Sequence, residues 1–121
     1  MDVHEYFPRA ASILVTTPDI NAARVAERAG HMVRSLDRRL LGVIENMSYM
    51  NCPECGYLWH PLGRGGAELV AKSLNIPVVA KIPWVLTGDS GITGLVPDGH
   101  PVQNIYRTLA QAIDQMKLLP T

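Results

Sequence analysis

Two short apolar runs flank a stretch with helical spacing, and that order limits the fold more than any other feature of the chain. The first run is Ser12-Ile13-Leu14-Val15-Thr16-Thr17 and the second spans 40–47, ending Val43-Ile44-Glu45-Asn46-Met47. Both are nearly continuous aliphatic and β-branched sequence rather than an alternation, the pattern of a strand covered on both faces. Pro18 stops the first run, and Asp19 offers an N-cap to the helical stretch after it. Over 20–36, apolar side chains recur at Ala22, Val25/Ala26, Ala29, Met32/Val33 and Leu36, with Arg24, Glu27, Arg28 and Arg34 on the other face. Strand, helix and strand with short joints make a βαβ unit, which is parallel and right-handed.

The remainder extends this plan. Residues 51–63 break it, being rich in Cys, Pro and Gly, and read as an excursion from the domain. Gly65-Gly66 introduces a second helix over 67–74, ended by Asn75. The run at 77–82 predicts a third strand, closed by Pro83. Residues 87–99 hold four glycines and Pro97 and predict a long loop. Pro101 suits the first turn of a last helix, with its stripe at Val102, Ile105, Leu109, Ala112/Ile113 and Met116. Residues 1–9, with Tyr6-Phe7 and Pro8, define no element. The expected fold is therefore α/β, three-layered, with a parallel sheet and a Cys-bearing loop insertion. Three strands apolar on both faces need a continuing sheet edge, supplied by an oligomer or by a larger α/β domain.

Composition narrows the function. A chain of 121 residues suits one domain or one half of a larger one, and its 11 basic residues balance 11 acidic ones, which argues against nucleic-acid binding. No apolar run approaches the ~20 residues of a membrane span. The start, Met1-Asp2-Val3-His4-Glu5, lacks the basic and apolar character of a signal peptide. A cytoplasmic, reducing location is expected, where a close cysteine pair serves a metal or redox site more often than a structural disulfide.

That pair is Cys52-Pro53-Glu54-Cys55, and it holds the only two cysteines of the chain. A turn brings two sulfurs so spaced to one side, where they can bite one metal ion or one edge of a cluster. Four ligands are wanted, so two-fold pairing of identical chains is the economical route to them. His60 would raise the count within one chain only to three. A zinc half-site, a thioredoxin-like redox pair and an inert loop remain open, although Gly56-Tyr57-Leu58-Trp59-His60-Pro61 is a poor start for the helix that the redox reading needs. Asn46 ends the second strand, where ligands of parallel sheets sit, and its amide can read one edge of a base or simply cap the strand. Thr16, Thr17 and Pro83 end the neighbouring strands. Arg64-Gly65-Gly66 before a helix reads as packing and turn chemistry more than as a phosphate site. No Gly-x-x-x-x-Gly-Lys-Ser/Thr occurs in the chain.

Taken together, Val15-Thr16-Thr17-Pro18-Asp19, Gly42-Val43-Ile44-Glu45-Asn46-Met47-Ser48-Tyr49, Cys52-Pro53-Glu54-Cys55-Gly56 and Gly65-Gly66-Ala67-Glu68 resemble the Mrp family. These are P-loop ATPases of the MinD/ParA group that carry iron–sulfur clusters. Ile82-Pro83 and Gly88-Asp89-Ser90-Gly91 also have counterparts there, and the likeness runs over about 10–112. It implies a homodimer with a bridging 4Fe–4S cluster held by Cys52 and Cys55 of each subunit, zinc being the alternative metal. It implies that Asn46 and Pro83 contact the adenine of ATP in the full-length parent. It also implies apo iron–sulfur proteins as recipients of the cluster.

The chain departs from the family by lacking the lysine-bearing phosphate loop, the switch regions and the magnesium-binding aspartate. Residues 1–121 look like the C-terminal portion of such an ATPase, as a fragment, a split gene product or a piece made for expression. No catalytic residue is expected in it, and alone it should not hydrolyse ATP. An interaction or zinc-binding module without a nucleotide role is the main rival, and a thiol oxidoreductase the other.

Overall fold

The structure, a computed structural model, describes residues 10–52, 54–84 and 101–116. The expectations for 1–9 and for the loop at 87–99 lie outside them. Among the described residues the elements run β1 (Ser12–Thr16), α1 (Ile20–Ser35), β2 (Leu40–Glu45), β3 (Met50–Asn51), β4 (Leu58–Trp59), α2 (Gly66–Leu74), β5 (Val78–Lys81) and α3 (Val102–Gln115).

β1, β2 and β5 form a parallel sheet in that spatial order, with Val15 opposite Ile44 and Ile44 opposite Ala80. One face carries α1 and α2 over Leu14, Val43, Val70, Leu74 and Ile76. The other face carries α3, whose Val102 joins Ile44 and Ile82, with Ile105 and Leu109 beside them. The three layers are thus those the sequence predicts. Val43, Val70 and Leu74 are fully buried, and such side chains supply about 2 kcal/mol each relative to exposure.

The helix signals act as expected. Asp19 caps α1 by accepting the Ala22 N–H at 3.1 Å. At the far end Asp37 takes the left-handed conformation (φ 57°) and donates its N–H to the Arg34 carbonyl at 2.9 Å. Asn75 takes the same conformation at the end of α2 (φ 54°).

Two readings need correction. The buried face of α1 is Ala23, Ala26 and Gly30, not the larger stripe. Val25 is 59% and Met32 65% exposed, and Leu36 is also exposed. The small residues win because α2 packs close: a Cβ on Gly30 would lie 2.3 Å from Leu74 Cδ1. The excursion at 51–63 also contains structure, an antiparallel β3–β4 hairpin pairing Met50 with Trp59 and Asn51 with Leu58.

Candidate functional site

β2 and β5 end at one rim of the sheet, and every candidate residue lies there or just beyond. Asn46 comes directly after β2, donating its N–H to the Thr16 carbonyl at 2.7 Å while its Oδ1 accepts the Met47 N–H at 2.9 Å. Met47 turns the chain with φ 52°. Ser48 then donates its N–H to the Ile82 carbonyl at 2.9 Å, and Trp84 donates to the Tyr49 carbonyl at 2.8 Å. These two bonds stitch the segment after β2 to the segment after β5, so Asn46 and Pro83 share the carboxyl rim. Asn46 is half-buried and lines a groove of about 460 Å³ with Thr16, Thr17, Ala22 and Val25. Thr16 and Thr17 are occupied locally: Thr16 Oγ1 donates to the Thr17 carbonyl at 2.9 Å, and Thr17 Oγ1 donates to Asp19.

The hairpin carries the sulfurs. Cys52 donates its N–H to the Tyr57 carbonyl at 2.9 Å, and its own carbonyl accepts the Gly56 N–H at 2.8 Å. Gly56 (φ 75°) makes the turn that a side chain would resist. Both cysteines are free; Cys52 is half-buried and Cys55 exposed. The Cys55 N–H, then the Glu54 N–H and the Cys55 thiol, hold the Cys52 thiol below its usual range by hydrogen bonding to its sulfur. The turn thus favours the thiolate form of Cys52, the form in which a thiol ligates metal. Among the described residues no three His, Cys, Asp or Glu side chains converge to complete a metal site. His60 stands apart from the pair, its Nδ1 3.0 Å from the Ser48 carbonyl.

A buried carboxylate lies beneath the rim. Glu45 is 2% exposed. Its Oε2 accepts the Ser48 hydroxyl at 2.7 Å and lies 3.7 Å from Lys81 Nζ, while Oε1 accepts the Ala67 N–H at 3.4 Å. Gly65 offers α2 no side-chain cap, so Glu45 caps it from the neighbouring strand. Lys81 also pairs with Glu68; that hydrogen bond lowers the Glu68 carboxyl and raises the Lys81 ammonium. Gly66 is buried under the Thr17–Pro18 backbone, a packing role, whereas Gly65 has open space around it and a φ of 92°, a turn role. Sequence reasoning overlooks Glu45, although an acid closing an otherwise apolar strand is the visible signal.

A parallel sheet sandwiched by helices, with its polar groups gathered beyond the strand ends, is the doubly wound α/β class, in which ligands sit at that rim. The MinD cell division ATPase of Pyrococcus furiosus superposes with a TM-score of 0.65 at 17% identity, over 88% of this chain and 43% of that one. A nucleotide-binding protein from Archaeoglobus fulgidus, solved with ADP, gives 0.53 at 25% identity, over 93% of this chain and 42% of that one. A family model described as ParA, the NUBPL iron-transfer P-loop NTPases, matches residues 1–114, and the chain belongs to that family.

The relatives are consistent with this. An iron-sulfur cluster carrier protein of Bacillus subtilis is 36% identical over 94% of this chain. The iron-sulfur cluster transfer protein NUBPL of Dictyostelium discoideum is 32% identical over 93% of it. The chain spans 33% and 36% of those two proteins. The resemblance read from the sequence holds at the level of family and fold.

Proposed function

We propose that this chain is the cluster-holding, C-terminal portion of an iron–sulfur carrier. Two copies meet so that Cys52 and Cys55 of each supply four thiolates to one 4Fe–4S cluster, which is cargo for apo iron–sulfur proteins. The observation that carries the reading is the hairpin loop, with two free cysteines side by side and backbone N–H groups favouring the Cys52 thiolate. A donor set of two soft thiolates fits iron or zinc and falls two short of a full site.

In the full-length parent, Asn46 and Pro83 flank the adenine of ATP. The Asn46 amide retains its Nδ2 donors and a second Oδ1 lone pair beyond the Met47 contact, enough to meet one edge of a base. The ADP in the Archaeoglobus protein supports a nucleotide in this fold. The free cysteine pair suits the reducing cytoplasm, where we place the chain.

Anaerobic reconstitution with iron and sulfide tests the proposal. The expected product is a brown dimer whose colour is lost in Cys52→Ala and in Cys55→Ala. Uptake of half an equivalent of zinc per chain with refusal of iron and sulfide would replace it with a zinc module. Disulfide reductase activity needing both cysteines would replace it with a thiol oxidoreductase.

A further inference from the structure

The β3–β4 hairpin has little of its own to hold it. Its strands are two residues each, and among the described residues neither packs substantially on the sheet or on a helix. Tyr57, Leu58 and Trp59 are exposed. A two-stranded ribbon of this size is marginal alone, so its pose is set where it joins the domain. Among the described residues one such point stands on each side. On the β3 side the Tyr49 carbonyl accepts the Trp84 N–H at 2.8 Å. On the β4 side His60 reaches the Ser48 carbonyl at 3.0 Å. A carbonyl can only accept, so His60 Nδ1 carries the hydrogen. Ser48 is itself a fixed post: it is 3% exposed, and its N–H and hydroxyl are bonded to Ile82 and Glu45.

We propose that His60 is a positioning residue, whose Nδ1–H bond to the Ser48 carbonyl clamps the second strand of the hairpin to the sheet rim and so fixes the pose of the Cys52–Cys55 sulfur pair. The consequence for a cluster rests on the proposed function; the clamp itself does not. His60 is thereby assigned to orientation and not to ligation.

The test compares His60→Ala, His60→Phe and His60→Asn in the whole chain; Asn places an amide N–H where Nδ1 stands. The metal-free readout is amide hydrogen exchange at Cys52 and Gly56, whose N–H groups close the hairpin loop. Losing one hydrogen bond should speed their exchange roughly fivefold in the Ala and Phe variants, with Asn near wild type and α1 amides unchanged in all. In reconstituted protein the same order should appear in the rate at which a chelator bleaches the cluster absorption. Equal exchange in all four proteins overturns the clamp, as does exchange in the Asn variant as fast as in Ala. A wild-type chain that takes no cluster but shows the exchange pattern keeps the clamp and overturns the carrier reading.

Discussion

A Cβ on Gly66 would lie 2.6 Å from the carbonyl oxygen of Pro18, closer than real side chains approach backbone. The end of β1 and the start of α2 therefore touch through main chain alone. Gly66→Ala should cost about 2 kcal/mol, because the obstacle is backbone and cannot rotate away. Gly30→Ala meets the ends of the Leu74, Leu14 and Leu40 side chains and no backbone, and the better helix propensity of Ala offsets part of the clash. It should be the milder change. Urea midpoints of the two variants decide the order.

Buried Glu45 accepts from the Ser48 hydroxyl and the Ala67 N–H and faces the exposed Lys81 ammonium at 3.7 Å. Glu45→Ala leaves two buried donors unmet and should lower stability by about 2 kcal/mol. Glu45→Gln keeps an acceptor and should lose less. Chemical denaturation of both variants checks this, with the Ala67 amide expected to lose protection first.

The pH dependence has two limbs. Asp19 is held below its ordinary 3.8, chiefly by the Thr17 hydroxyl and then by the Ala22 N–H. Glu68 is held below 4.5 by the Lys81 hydrogen bond. Between the folded and unfolded values the unfolded chain binds more protons, so stability rises with pH there. Both contributions are complete above those ordinary values and fade as pH falls through the lower folded ones. Lys81 is raised above 10.5 by Glu68, so its contribution is complete below 10.5 and fades above it. The Glu68–Lys81 pair is exposed enough to be worth at most about 1 kcal/mol. Denaturation midpoints should drop at both extremes, with the acid limb shallower in Asp19→Asn and the alkaline limb flat in Lys81→Met.

Cys52 should alkylate at lower pH than an ordinary thiol, since the Cys55 and Glu54 N–H groups and the Cys55 thiol favour its thiolate. Iodoacetamide rates measured against pH in Cys55→Ser isolate it. A profile matching free cysteine would mean that the loop does not hold its donors on the sulfur in solution.

No ATP turnover is expected from this chain, because the lysine-bearing phosphate loop is missing from its sequence. A phosphate-release assay checks it. Turnover that disappears in Asn46→Ala would show that the rim does chemistry unaided.

The parts legible in the sequence are those whose cause is local. β-branched runs mark β1, β2 and β5, Asp19 marks the start of α1, and Asn75 marks the end of α2. The hairpin escapes because two-residue strands have no period to detect. The buried face of α1 is misjudged because bulk is a poor sign of burial where close packing against α2 selects Ala23, Ala26 and Gly30. The larger stripe of Val25, Met32 and Leu36 is a true periodic signal that the described residues leave uncovered. At the candidate site, Cys52, Cys55, Asn46 and Pro83 are proposed from motif and position. The capping role of Glu45 and the clamping role of His60 cannot be read from the sequence, since the Ala67 N–H and the Ser48 carbonyl lie 22 and 12 residues away.

β1 is an edge strand of its sheet among the described residues, and its Val15 is 61% exposed. Bare main chain flanked by aliphatic groups invites association of a kind unrelated to sulfur chemistry. Beside the cluster-bridged dimer proposed above, preparations of the chain would then contain a second dimer of equal mass. Stripping the metal would dissolve the proposed dimer and spare the edge-paired one, so a dimer's response to a chelator is more informative than its size.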